Sequence, residues 1–263
     1  PGRSQRLDLL RAASRQIATG IQNNIMQTIQ HNQTLIEKEL QLARQIQKTF
    51  LPENLPNLPG YDLAAEWQTA RQVGGDFYDV FELSPGKVGL IIADVSDKGL
   101  PASLYMTVSR TLIRARALEM ESPARTLEKV NHILQLDSSD GFFVTVCYAI
   151  LELESGKVTY CVAGHNPPYW LRPEKDALQP LNRGGIALGL MDPINLEDRE
   201  LVLAPGDGLV FYTDGVTETF SPEGQPFGDS RLKARLQSLL GETARGIIDG
   251  VGFTLDSFRA AKS

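Results

Sequence analysis

The stretch RQVGGDFYDVFELSPGKVGLIIADVSDKG, residues 71–99, decides the fold. Asp76 follows Gly74 and Gly75 and leads into Phe77, Tyr78, Val80 and Phe81. A second apolar run, VGLIIA at 88–93, ends in Asp94. Short runs of β-forming residues bounded by Gly and Pro read as strands. SPGK at 84–87 reads as the turn that joins them into a hairpin. Two neighbouring strands then bring one carboxylate each to the same end of a sheet. An unpaired carboxylate in such a place is costly to desolvate, and two of them repel. A hard divalent cation relieves both costs. The plainer reading stands beside this one: Asp is common at turns and helix N-caps, and Gly-Gly-Asp is ordinary turn chemistry.

The surrounding chain sets limits. Its 263 residues are 42% hydrophobic and 22% charged, an ordinary globular composition. The net charge of −6 gives no general attraction to nucleic acid or to an anionic membrane surface. No apolar run approaches the ~20 residues needed to span a bilayer. The polar, basic start lacks the apolar stretch of a signal peptide, and a chain that begins at Pro1 reads as an excised segment. Cys147 and Cys161 fall in strand-like runs where a hairpin would not face them together. Buried reduced thiols and a cytoplasmic home are expected.

Residues 5–50 read as helix. Leu7, Leu10, Ile17, Ile21, Ile25, Ile29, Leu35, Leu42, Ile46 and Phe50 recur at steps of mostly three or four. Gly20 and the Gln/Asn-rich middle allow a bend near 31–34. A helix this long suggests a coiled coil or a connector, or one packed on the domain that follows. LPENLPNLPG at 51–60 ends it, since three close prolines cannot continue a helix. The boundaries are therefore a helical linker at 1–50 and a second domain at 51–263. Strands are expected at 61–67, 73–83, 87–94, 142–153, 157–163, 196–203 and 208–213, with another resuming at Tyr169. Helices are expected from Gly99 to about 119, from Ser122, at 230–240 and at 243–259. Strands, two helices, strands, two helices make an α+β sandwich with helices outside.

LVFYTDGVTE, residues 209–218, repeats the device at Asp94: an apolar run enters Asp214 and a glycine follows. Asp76, Asp94 and Asp214 together form an oxygen-only donor set, which suits Mg²⁺ or Mn²⁺ and not zinc. The histidines and cysteines have no zinc spacing.

RQVGGDFYDV, IADVSDKGLPASLYM, GFFVTVCYAILE, AGHNPPYW, PGDGLVFYTDGVTE and FGDSRL resemble, in that order, the SpoIIE/RsbU-type branch of the PPM metal-dependent Ser/Thr phosphatases. The likeness runs from about 42 to 258. ELQLARQIQKTFLPENLP resembles the helical lead-in of that branch, and LDLLRAASRQIATGIQNN the last helix of a GAF sensor domain. The resemblance implies a four-layer αββα sandwich with two Mn²⁺ or Mg²⁺ ions at one end. By it, Asp94 bridges both ions and the Val95 carbonyl adds a ligand. Asp76 serves the first ion, and Asp214 the second. The shared water, lowered in pKa, attacks phosphorus in line. The substrate so implied is a phosphorylated STAS-domain protein of the anti-anti-sigma type in bacterial partner switching.

The chain departs from the pattern at two points. Its last residues, FRAAKS at 258–263, stop before the Asp-Asp-x-Thr strand that closes the family, so weak activity is expected of this segment. Asp97 stands where the branch often has Gly, and reads as a turn residue. Arg71, five before Asp76, matches the spacing of a phosphate-binding arginine or makes a surface ion pair. His165 reads as a general acid or, preferably, as a brace for the Pro-stiffened loop at 163–168. The rival function is a PPM-like binding module that turns over little or no substrate. A homodimer through the long helix is expected in either case.

Overall fold

Residues 3–69, 72–137 and 141–260 are described by a computed structural model. The chain divides into two compact units, Pro1–Ile46 and Gln47–Ser263. The first is helix throughout its described length. Helix α1 (Arg3–Phe50) runs without interruption, so the chain does not divide into two helices near 31–34. Gln and Asn lower helix propensity by only tenths of a kcal/mol each, and no proline falls within the helix. Thr28 and Thr34 donate their hydroxyls to the carbonyls of Asn24 and Gln30 one turn back, which satisfies them without breaking the ladder.

The second unit is built on a five-stranded antiparallel sheet in the order β1-β2-β3-β4-β7. Its strands are β1 (Phe77–Ser84), β2 (Lys87–Val95), β3 (Val144–Glu152), β4 (Lys157–Ala163) and β7 (Arg199–Val202). The three strands β5 (Tyr169–Arg172), β6 (Ala177–Pro180) and β8 (Gly208–Val210) form a second sheet in the order β6-β5-β8.

The period of two along β3 makes the layers. Val144, Val146 and Tyr148 face one apolar cluster, and Cys147, Ala149 and Leu151 face another. The first cluster is closed by α2 (Leu100–Ala117) and α3 (Pro123–Asp137). They press Ala102, Met106, Ile113, Leu127, Val130 and Leu134 against the large sheet. Each large aliphatic side chain so buried contributes roughly 1.5–3 kcal/mol. The second cluster lies between the sheets, where Trp170 and Leu209 of the small sheet meet the large one. Tyr169 and Leu171 point the other way, to α5 (Gly228–Ser238) and α6 (Ala244–Ala260), which supply Leu232, Leu236, Ile247 and Val251. Helices, sheet, sheet and helices make the four-layer αββα order.

Two of the expected strands need correction. Residues 61–67 form no strand. The segment packs without a ladder: Tyr61 lies between the sheets and donates its hydroxyl to the Leu153 carbonyl, while Trp67 packs on the helix side. The strand expected at 208–213 ends at Val210. Val210 pairs with Tyr169, and the partners beyond would be Pro168 and Pro167, which have no N–H to give. The cysteines are free and buried, and Cys147 and Cys161 belong to different clusters on the two faces of the large sheet. Among the described residues, no helix is long and apolar enough to cross a membrane.

Candidate active site

The hairpin register Phe77↔Ala93 brings Asp76, one residue before β1, beside Asp94 at the end of β2. Close approach is possible because Gly75 has no side chain: a Cβ there would lie 2.8 Å from the Val95 carbonyl oxygen. Trp67 Nε1–H donates to the Asp76 carbonyl at 3.0 Å and fixes the lead-in. Gln47, at 3% exposure, holds the same segment as well. Its Nε2 donates to the Gly74 carbonyl at 2.5 Å, and the Gly74 N–H donates to its Oε1 at 3.2 Å.

The small sheet delivers the third carboxylate. Asp214 opens the short helix α4 (Asp214–Thr217) and does not end a strand. Thr213, just before it, donates its hydroxyl to Asp76 Oδ2 at 2.5 Å. This bond joins the two sheets at the acidic end.

The electrostatics are those of an anionic cluster short of positive charge. Burial, then a hydrogen bond with the Asp76 carboxyl, pushes Asp94 up to about 9. The charges on Asp76 and Asp214 add to this, and Lys98 opposes it. Asp214 is raised by burial first, then by Glu218 and Asp76, again against Lys98 and the Gly215 N–H. Like charges that keep a proton at neutral pH are relieved by a cation. The donors are all oxygen, so the chemistry fits a hard divalent ion. The side chains do not yet enclose one: among the described residues, no three of His, Cys, Asp or Glu are set to hold a metal ion.

His165 is the second tie between the sheets. A carbonyl only accepts, so Nε2 carries the proton and donates to the Tyr212 carbonyl at 3.2 Å. Nδ1 then accepts from the Thr145 hydroxyl at 2.8 Å, and Thr145 lies opposite Asp94 in the β2–β3 pair. Both ring nitrogens are engaged in bracing. Burial lowers the imidazole from its ordinary 6.5 to about 4, with the Tyr212 carbonyl and Asp76 opposing. The unfolded chain therefore binds a proton that the folded chain refuses between those values. This contribution to stability is present above pH 6.5 and is withdrawn as pH falls towards 4, by roughly 3 kcal/mol. Urea midpoints at pH 7.5 and pH 4.5 are expected to differ less for His165→Gln than for the parent. An equal loss in both would remove His165 from the account.

Asp76, Asp94, Val95 and Asp214 are thus brought to one end of the sandwich. Asp97 adopts a left-handed φ of 71° in the exposed loop between β2 and α2, as a turn residue does. Arg71 lies outside the described residues. Thr213, Thr145, Lys98 and Glu218 are the site residues that sequence reading passed over. Thr213 and Glu218 lie inside the run quoted for Asp214, but nothing local shows that Thr213 reaches a residue 137 positions away.

The chain is similar to known proteins over most of its length. The family model described as stage II sporulation protein E matches residues 84–261. Protein IcfG of Synechocystis sp. is 31% identical over 225 residues, which is 75% of this chain and 35% of that protein. The phosphoserine phosphatase RsbU of Bacillus subtilis is 26% identical over 228 residues, 86% of this chain and 68% of that protein. The chain therefore spans about a third of the first relative and about two thirds of the second. Among solved structures, the SiaA-PP2C domain of Pseudomonas aeruginosa matches with a TM-score of 0.76 at 21% identity, covering 86% of this chain and 92% of that one. The RsbU and RsbW domains of a Mycobacterium tuberculosis protein match with a TM-score of 0.60 at 27% identity, covering 75% and 54%.

Proposed function

Because the chain belongs to the SpoIIE family, we propose that it is a metal-dependent protein phosphoserine/phosphothreonine phosphatase. The observation that supports this reading most is the meeting of Asp76, Asp94 and Asp214 from both sheets, with Asp94 pushed up to about 9. The name of RsbU, a phosphoserine phosphatase, supports the same reaction.

Asp76, Asp94, Asp214 and the Val95 carbonyl would hold two Mn²⁺ or Mg²⁺ ions. Bound there, the ions would supply an activated water and neutralise charge on the phosphoryl oxygens. The protein's own part is positioning. Thr213 orients Asp76, His165 holds the sheets together at that end, and Gly75 lets the two strand ends approach. Lys98 lowers the charge of the cluster. The proposed substrate is a phosphorylated STAS-domain protein of a cytoplasmic partner-switching pathway.

A second reading, a binding module with little turnover, is favoured by the absence of an enclosed cage among the described residues. Hydrolysis of p-nitrophenyl phosphate and of a phosphorylated STAS-domain protein, with Mn²⁺, Mg²⁺ or chelator, separates the two. The phosphatase reading expects both substrates to be cleaved and chelator to stop it. STAS binding without any metal-dependent release of phosphate would leave only the module.

The proposed enzyme is a homodimer through α1. Ile21, Ile25, Ile29 and Ile36 repeat along one helix at 48–56% exposure, which a lone amphipathic helix does not retain cheaply in water. Gln47, at the end of the same helix, grips Gly74 two residues before Asp76, which gives a change in the helix a route to the site. The full chain is expected to sediment as a dimer at tens of micromolar, on the order where weak coiled coils associate. The Ile21→Asp/Ile25→Asp/Ile29→Asp variant should sediment as a monomer. A parent that is monomeric there would make α1 a connector only.

A further inference from the structure

Asp79 is a fully buried carboxylate in the middle of β1. It shares the inward face of the strand with Phe77 and Phe81, which pack into the cluster under α2 and α3. An apolar residue would suit that position. Instead two arginines of α2 close on it. Arg110 Nη2 lies 2.8 Å from Oδ2, and Arg114 Nη1 donates to Oδ1 and Oδ2 at 3.0 Å. The Arg114 guanidinium also stacks 4.7 Å from the centre of the Phe81 ring. The two arginines are one turn apart and so share a side of the helix.

A buried carboxylate paired with the mostly buried Arg110 and the half-exposed Arg114 is a poor source of net stability, because desolvation offsets most of the attraction. What it supplies is direction: two charged partners converging on one carboxylate tolerate little sliding of helix on strand. The elements so joined are the ones that carry the acidic site. Asp79 is three residues along the strand from Asp76, ~10 Å. Helix α2 follows Asp94 and Val95 after a short loop. That loop is fixed to the lead-in of β3, where the Ser96 N–H donates to the Phe143 carbonyl and the Phe143 N–H donates to Ser96 Oγ. So α2 is held at its start beside Asp94 and Val95, and at its middle to the strand that begins after Asp76.

We infer that Asp79, Arg110 and Arg114 are positioning residues. The triad sets where α2 lies along β1, and thereby the spacing of Asp76 from Asp94 and Val95 on which divalent-cation affinity depends. The inference rests on the cation-dependent reading of the site. It is tested in the full chain with Asp79→Leu/Arg110→Met/Arg114→Met, which removes the three charges together and leaves none unpaired. The melting temperature should equal or exceed the parent's. Mn²⁺ affinity by titration calorimetry should weaken about tenfold, the scale seen when supports of metal ligands are lost. Turnover of p-nitrophenyl phosphate at saturating Mn²⁺ should fall as well, since displaced ligands also misplace the reacting groups.

Arg114→Lys is the second variant, since it keeps the charge and loses the fork at a half-exposed side chain. It should weaken Mn²⁺ binding in the same direction and by less. A folded triple variant that binds Mn²⁺ as the parent does overturns the inference. If the triple variant does not fold, an unshifted Arg114→Lys overturns it. Failure of the cation reading is separate, because it is seen in the parent alone as an absence of Mn²⁺ binding, and it removes the inference as well.

Discussion

Asp94→Asn is expected to reduce metal-dependent phosphate-ester hydrolysis by on the order of 10³-fold while the protein stays folded. The substitution keeps the shape of the side chain, exchanges one acceptor oxygen for an NH₂ donor and removes the charge. Asp94 is where the cluster's repulsion is most acute: burial, the Asp76 hydrogen bond and the charges of Asp76 and Asp214 together push it up to about 9. A cation that meets this group relieves the repulsion, so the residue's charge is what the site would lose. The metal-free protein should lose no stability, because the folded chain without an ion already disfavours the carboxylate. Thermal melting in chelator is expected to give an equal or higher midpoint for the variant. Mn²⁺ should raise the parent's midpoint and leave the variant's unchanged, as binding to the native state alone requires. Near-parental hydrolysis by Asp94→Asn would refute the metal assignment outright.

The part of this site that was legible in the sequence is the part set by single strands. Asp94 is found because a β-rich run ends in it, and Asp76 because a Gly-Gly turn precedes another. The antiparallel register then makes them neighbours without further information. Asp214 was legible as a residue but not as a geometry. Its apolar run suggests a strand to 213, yet pairing stops at Val210 where the partner strand becomes Pro168 and Pro167. The chain released there turns into α4, and Thr213 is left free to reach Asp76 across the sheets. No local pattern encodes that reach. Asp79 was passed over for the opposite reason. It sits inside a run whose alternation is otherwise apolar, and its partners lie on a helix read only for its buried stripe. The same limit explains residues 61–67, whose apolar side chains pack into two different clusters without pairing in a ladder.

Gly75→Ala is the second change with a large expected effect, and it asks whether the approach of the two strand ends matters to the chemistry. Gly75 is buried opposite Val95, two residues beyond the Phe77–Ala93 pair of the hairpin. A Cβ there would lie 2.8 Å from the Val95 carbonyl oxygen, 3.1 Å from its Cβ and 3.3 Å from its nitrogen. The obstacle is backbone, so no rotamer change can relieve it. Either the end of β2 or the lead-in to Asp76 must move, and both carry groups assigned above to the cation. Overpacking of this kind costs about 1–3 kcal/mol of stability. A displacement of about 1 Å costs catalysis on the order of 10²-fold. Gly86→Ala is the matched control. Gly86 has a φ of +79° in the turn of the same hairpin, and nothing lies within 4 Å of its added Cβ. That change should cost about 1 kcal/mol from backbone strain and leave turnover alone. Melting temperatures and kcat/KM with p-nitrophenyl phosphate compare the two. Loss of turnover in Gly75→Ala, out of proportion to its loss of stability and absent from Gly86→Ala, is the expected result. Parental turnover in a folded Gly75→Ala would mean that the Val95 carbonyl and the lead-in to Asp76 tolerate displacement, and the Val95 assignment would fall while that of Asp94 stood.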